Sequence, residues 1–293
     1  MTRSSVPESR NWRPLAAALV TVVLWSSAFV GIRAATRTIS PGALALGRLL
    51  IGSVLLGLLL LRRGALRPTR RELLLLCIAG PLWFGLYNVA LNTAEQMIDA
   101  GTAAMVVNIA PLMVMALAAI FLHERVGSGL WTGGAIAFAG VIAMGLATRS
   151  GHASALGILL CFVATAASAA GLVAQKPVLA RLSAIQVTWT CCVIGLLCCL
   201  PYAPALLRDV RTASTSDLAW MVFLGVFPTS VAFTTWAYAL ARGTASRLVM
   251  TAYLIPPITI AMSWFILHEA PKPLAILGGV LCLAGVIVAR WRH

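Results

Sequence analysis

Between Pro14 and Ala289 the chain is a succession of ten continuously apolar stretches, each close to 20 residues long and parted from the next by a short cluster of charge, proline or glycine. This pattern constrains the fold more than any other feature. About 20 apolar residues wound as a helix cross roughly 30 Å of hydrocarbon. Runs that do not alternate apolar with polar side chains do not build a membrane barrel. The stretches cover residues 14–32, 42–61, 73–93, 100–122, 130–147, 154–174, 184–203, 217–238, 247–267 and 274–289. The expected fold is therefore an all-α integral membrane protein with ten transmembrane helices. Composition points the same way: 60% of the 293 residues are apolar and 10% are charged, too few charges to clothe a soluble protein. The first stretch is too long for a cleaved signal sequence and reads as a retained helix behind a cytoplasmic tail, residues 1–13.

Lys and Arg outnumber Asp and Glu by 22 to 8. Their placement marks orientation in a bilayer, with no sign of nucleic-acid binding. With the N-terminus in the cytoplasm, fifteen of them fall on the cytoplasmic side, among them Arg62, Arg63, Arg67, Arg70 and Arg71, and six on the other. Both termini are expected inside, in a multi-pass protein of the cell inner membrane. The seven cysteines all lie within apolar stretches, without the spacing of a metal site. No cofactor or metal is expected.

Displaced by 145 positions, Ala100–Ile142 aligns with Ala245–Ile287 without a gap and with 13 of 43 positions identical. Pro111 falls on Pro256, His123-Glu124 on His268-Glu269 and Gly133-Gly134 on Gly278-Gly279. Chance matches of Leu and Ala do not put Pro, His-Glu and Gly-Gly in register. Two repeats of five helices, residues 14–147 and 154–289, must enter the membrane with opposite orientations because five is odd. Inverted repeats of this kind are found in many secondary transporters, where substrate sits near mid-membrane between rocking halves.

Trp25-Ser26-Ser27-Ala28-Phe29-Val30, Arg48, Ala100-Gly101-Thr102-Ala103-Ala104 with Pro111, Phe121-Leu122-His123-Glu124-Arg125 and the echo Ile266-Leu267-His268-Glu269 together resemble the ten-helix EamA-type branch of the drug/metabolite transporter superfamily. The likeness runs along nearly the whole chain. Ser26 stands where that family commonly has glycine. The general cast is similar to bacterial exporters of amino acids and metabolites. The resemblance implies a transporter, not an enzyme, with a small-molecule substrate and the lipid bilayer as its partners, acting as a monomer or weak homodimer.

All eight acids and all four histidines fall at helix ends or in loops. Ionisable groups in hydrocarbon are costly and mark function. Their absence from mid-membrane favours facilitated transport of a neutral or zwitterionic solute, most simply an amino acid, aromatic ones included. Proton-coupled efflux of drugs or metabolites is the alternative. A membrane-embedded enzyme lacks any nucleophile-and-base set.

The candidate substrate-binding residues are Arg48, Trp25, Trp236, Phe84, Tyr87, Asn88, Asn92, Asn108 and Tyr253. Phe84, Tyr87, Asn88 and Asn92 recur at helical spacing on the third helix. Asn108 and Tyr253 pair in the repeat, each three residues before Pro111 or Pro256, and a proline frees a carbonyl in the preceding turn. For Arg48 two readings stand side by side: a fork that grips a carboxylate or phosphate, or a side chain that snorkels or bonds helix carbonyls to hold the bundle. Pro111, Pro256, Glu124 and Glu269 are the candidate hinges and gates. Small residues at Gly129, Gly133, Ala275 and Gly279 allow the fifth and tenth helices to pack closely, on each other or on another protomer.

Overall fold

The computed structural model describes residues 12–36, 38–61, 67–98, 103, 106–148, 154–267 and 272–291. They form ten helices. The first repeat comprises α1 (Arg13–Ala35), α2 (Pro41–Leu60), α3, α4 (Ala110–Phe121) and α5 (Ser128–Thr148). The second comprises α6 (Ala155–Val178), α7, α8, α9 and α10 (Pro273–Trp291). Four of these are composite. α3 runs Arg70–Ala79, passes through a π-helical segment Gly80–Leu86 and continues as Tyr87–Ala94, while α8 runs Thr215–Leu224, Gly225–Val231 (π) and Ala232–Ala241. α7 is Ala184–Cys199 joined by a 3₁₀ turn to Ala203–Thr212, and α9 is Ala245–Val249, a 3₁₀ segment Met250–Leu254, then Ile255–Leu267. Seven helices are long and apolar enough to cross a membrane; the described parts of α1, α4 and α10 are apolar and shorter. The protein is an all-α membrane protein.

The internal repeat reaches further back than residue identities show. Thr69 and Ser214 cap α3 and α8 in capping boxes with Glu72 and Asp217, and each pair keeps the offset of 145. The π-helical segments Gly80–Leu86 and Gly225–Val231 keep it as well. Both contain a proline, which has no N–H to give to the carbonyl four residues earlier. In α8 hydroxyls take over: Thr229 Oγ1 donates to the Leu224 carbonyl at 2.8 Å and Ser230 Oγ to that of Gly225 at 2.9 Å. In α3 the Asn88 amide donates to the Phe84 carbonyl at 2.8 Å.

The two repeats meet along α5 and α10, and the contacts fix their relation. A Cβ on Gly133 would stand 2.5 Å from the Gly285 carbonyl oxygen, and one on Gly278 2.5 Å from that of Gly140. Gly278 is the repeat partner of Gly133, and Gly285 of Gly140. Cys282 Sγ approaches the carbonyl of its own repeat partner, Ala137, at 3.2 Å. Contacts that exchange into one another, around a pair that maps onto itself, define a two-fold axis through Ala137 and Cys282. Along the seam one helix ascends as the other descends, so the axis is perpendicular to them and the repeat is inverted. The small residues thus join the two halves of one chain. The close face carries Gly278, Cys282 and Gly285, while Gly279 points towards Pro257.

α1 lies across the irregular parts of the second repeat. Thr21 Oγ1 bonds the Ala232 carbonyl at 3.1 Å and lies 2.8 Å from Thr235 Oγ1. Trp25 Nε1 donates to the Pro228 carbonyl at 3.3 Å. Ser26, fully buried, donates to the Ile255 carbonyl at 3.2 Å.

Candidate transport site

Residues of α1, α2, α3, α4, α6, α8 and α9 surround a central cavity of about 130 Å³. Such a volume is small beside the roughly 300–1,000 Å³ of pockets for drug-sized ligands and close to the roughly 150 Å³ that admits benzene. Five rings form a continuous aromatic cluster at its wall. Trp25 lies 5.0 Å from Trp236 and 5.3 Å from Phe233, centroid to centroid, and Phe233 lies 5.1 Å from Trp83 and 4.4 Å from Phe84. Most of these contacts are edge-on or tilted, as ring quadrupoles prefer. Trp236 is 1% exposed, and its Nε1 has no acceptor among the described residues. A buried donor in that condition costs free energy until something accepts its hydrogen.

The polar lining is sparse: Arg48, Tyr87, Asn88, Asn108 and Ser168. Arg48, 5% exposed, donates from Nε to Thr229 Oγ1 at 2.9 Å. It therefore serves the bundle, because Thr229 is the hydroxyl that satisfies the π-helical Leu224 carbonyl. It also lines the cavity. Among the described residues no carboxylate and no histidine lines the cavity.

Of the residues singled out from sequence, Trp25, Arg48, Tyr87, Asn88, Asn108 and Trp236 line the cavity, as does Pro111. Phe84 backs the aromatic cluster from behind Trp83 and Phe233. Asn92 is turned away and donates to the Pro41 carbonyl at 3.2 Å, tying α3 to the start of α2. Tyr253 is fully buried in the core, its hydroxyl without a partner among the described residues, and stands outside the lining. Trp83 and Phe233 were not anticipated. Trp83 lies one turn before Tyr87, and the wider π winding of Gly80–Leu86 carries it, in place of Phe84, onto the cavity side.

α4 and α9 are both broken just before their prolines. Asn108 and Ile109 form a turn ahead of the helix that contains Pro111, and Tyr253 lies in the 3₁₀ stretch Met250–Leu254 ahead of Pro256. The far end of α4 closes on the start of α9. His123 adopts φ +52°, a left-handed conformation in which His is enriched among non-glycine residues, and the turn projects Glu124. Its carboxylate accepts from the backbone N–H of Ala245 at 2.8 Å and of Ser246 at 3.0 Å, and from Ser246 Oγ at 2.6 Å. An anion at a helix N-terminus meets both the unpaired N–H groups and the positive end of the dipole. Lys176, at the end of α6, donates to the carbonyls of Leu240 and Gly243 at the end of α8. The α8–α9 turn is thus gripped by an anion on one side and a cation on the other. Glu269, the repeat partner of Glu124, lies outside the described residues.

Helical bundles with broken helices around a mid-membrane cavity and a two-fold axis in the membrane plane are the architecture of secondary transporters. The chain belongs to the EamA-like transporter family, which it matches over residues 12–146 and 155–291, and with it to the drug/metabolite transporter superfamily. It is 34% identical to a protein of Streptantibioticus cattleyicolor named "Probable terminal-alkyne amino-acid exporter", across 94% of this chain and 93% of that one. It is 30% identical to an uncharacterized transporter of Archaeoglobus fulgidus, across 97% and 100%. A "Probable amino-acid metabolite efflux pump" of Escherichia coli is 23% identical, across 94% and 95%. A solved crystal structure shares the fold with a TM-score of 0.76 at 21% identity, covering 96% of this chain and 97% of that one.

Proposed function

We propose that this transporter moves small zwitterionic solutes, amino acids above all, across the bacterial inner membrane by alternating access, with both termini in the cytoplasm and without proton coupling. The observation that carries the reading is the cavity lining, which among the described residues holds one cation, a few neutral polar groups, an aromatic cluster and no acid. A substrate carboxylate finds the remaining N–H groups of Arg48 and the unpaired Trp236 Nε1. An ammonium group is accommodated over ring faces, as cations are elsewhere, and needs no carboxylate. The names of two relatives, which refer to amino-acid export, support the substrate class. Proton-driven exchange ordinarily uses a titrating side chain within the membrane, and the described lining offers no acid or histidine for it.

The grip of Glu124 and Lys176 on the α8–α9 turn closes the cavity towards the cytoplasm in this reading, with Pro111 and Pro256 as the flexing points and Glu269 as the counterpart at the other face. Counterflow into liposomes tests the proposal. External labelled amino acid should accumulate against unlabelled amino acid inside, Asn108→Ala should slow it while inserting normally, and an imposed pH gradient should not drive uptake. Flux indifferent to every amino acid refutes the substrate class, and uphill uptake abolished by an ionophore refutes the uncoupled mechanism.

A further inference from the structure

A second cavity, about 520 Å³ and open to the outside, lies between the start of α1 and the α8–α9 turn. Its polar rim carries Arg242 and Arg247, and its floor is apolar, made by Pro14, Leu15, Ala18 and Leu248. Both arginines are exposed, and neither forms an ion pair among the described residues. Arg242 is held in place: Nη1 donates to the Tyr238 carbonyl at 3.1 Å, and the guanidinium carbon stands 3.5 Å over the Tyr238 ring. Its other N–H groups form no hydrogen bond among the described residues.

Arg247 is the more telling residue. It is the third residue of α9, where a positive charge opposes the helix dipole. A cation so placed destabilises the helix end unless an anion joins it. Glu124 caps this helix end through Ala245 and Ser246 but forms no ion pair with Arg247 among the described residues, which leaves the guanidinium open to an external anion.

From the floor of the groove an apolar track continues along α1. Leu15, Leu19, Val20 and Val23 are 37–46% exposed on a helix that spans the membrane, so their surroundings are acyl chains. A ligand for this place needs a negative head against two arginines and a hydrocarbon tail along α1. We infer that the groove binds the phosphate headgroup of an acidic phospholipid from the surrounding leaflet, with its tail lying on α1. The lipid then bridges α1 to the α8–α9 turn. Basic pockets between membrane helices are known to recognise such headgroups, and the assignment holds whichever face of the membrane this end of the bundle occupies.

The test is thermal unfolding of the detergent-purified protein titrated with dioleoylphosphatidylglycerol, with dioleoylphosphatidylcholine and with inorganic phosphate. Phosphatidylglycerol should raise the midpoint, and the other two should not. Each arginine near an anionic surface changes affinity about fivefold, so Arg242→Gln with Arg247→Gln should need roughly 25-fold more phosphatidylglycerol for half the shift. Arg247→Gln alone, a change at an exposed residue, should need about fivefold more and covers the case in which the double variant folds poorly. Arg211→Gln, on an exposed arginine at the end of α7, should respond like the wild type. The inference is overturned if the Arg247 variants respond like the wild type, if Arg211→Gln weakens the response as much, or if phosphate alone reproduces it.

Discussion

Substituting alanine for Gly133, Gly278 and Gly279 tests the α5–α10 seam one position at a time. A Cβ on Gly133 would lie 2.5 Å from the Gly285 carbonyl oxygen and 2.7 Å from the Ala289 Cβ, and one on Gly278 would lie 2.5 Å from the Gly140 carbonyl oxygen and 2.6 Å from the Met144 Cγ. Carbon and carbonyl oxygen approach no closer than about 3.3 Å even in C–H···O contacts, so either substitution forces the helices apart by about 0.8 Å. A gap of that size forfeits a quarter to a half of each dispersion contact along the seam, and overpacking changes of this kind cost about 1–3 kcal/mol. The next residue, Gly279, is the control. Its added Cβ would meet Pro257 at 3.5 Å, ordinary contact, and alanine gains up to about 1 kcal/mol of helix propensity over glycine. Gly133→Ala and Gly278→Ala should therefore lower the unfolding midpoint by similar amounts, while Gly279→Ala leaves it unchanged or raises it. The double variant should lose less than the two losses added, because one separation of the helices accommodates both methyl groups. Unfolding followed by size-exclusion fluorescence in detergent measures all four. Equal tolerance at Gly278 and Gly279, or strict additivity, would refute the two-fold seam.

Three further outcomes are expected. Tyr253→Phe should keep both stability and flux, since the lost hydroxyl has no partner among the described residues, whereas Tyr253→Ala should cost about 3–5 kcal/mol as a buried aromatic truncation; thermal unfolding and counterflow separate the two. Arg48→Lys and Thr229→Val should couple by about 1 kcal/mol in a double-mutant cycle on stability, and independence of the two effects would remove Arg48 from the support of α8. Glu124→Gln should lower stability by about 0.5–2 kcal/mol as a weakened helix cap and should speed labelling of a Val249→Cys variant by a membrane-impermeant maleimide, and an unchanged rate would deny Glu124 a part in closure.

Much of this architecture is legible in the sequence because bilayer thickness converts apolar length directly into helices, and because Pro111, Pro256 and the doubled Gly-Gly are side-chain identities that survive divergence. The earlier part of the repeat is concealed for a physical reason. A capping box requires a hydroxyl and an acceptor three residues on, so Thr69 with Glu72 and Ser214 with Asp217 do the same work without matching letter for letter. The π segments are hidden further because Pro81 and Pro228 sit at different steps of equivalent turns. Trp83 could be found by extending the Tyr87 stripe back one turn. An α-helical period selects Phe84 equally well, and the winding that decides between them is a property of the backbone. Asn92 shows the converse: its spacing marks a polar stripe, but the carbonyl of Pro41, brought near by tertiary packing, claims the amide. Phe233 carries no local signal, since a phenylalanine in an apolar helix matches its neighbours in composition.

The contact between Cys282 and Ala137 has a consequence for anyone who wants to watch this protein move. When two inverted halves trade conformations, points on the axis relating them keep their surroundings while points far from it exchange theirs. A spectroscopic label beside Cys282 should thus report the same environment before and after the exchange. Seven native cysteines include one that marks the stationary centre, and motion anywhere else in the bundle can be measured as a distance from it.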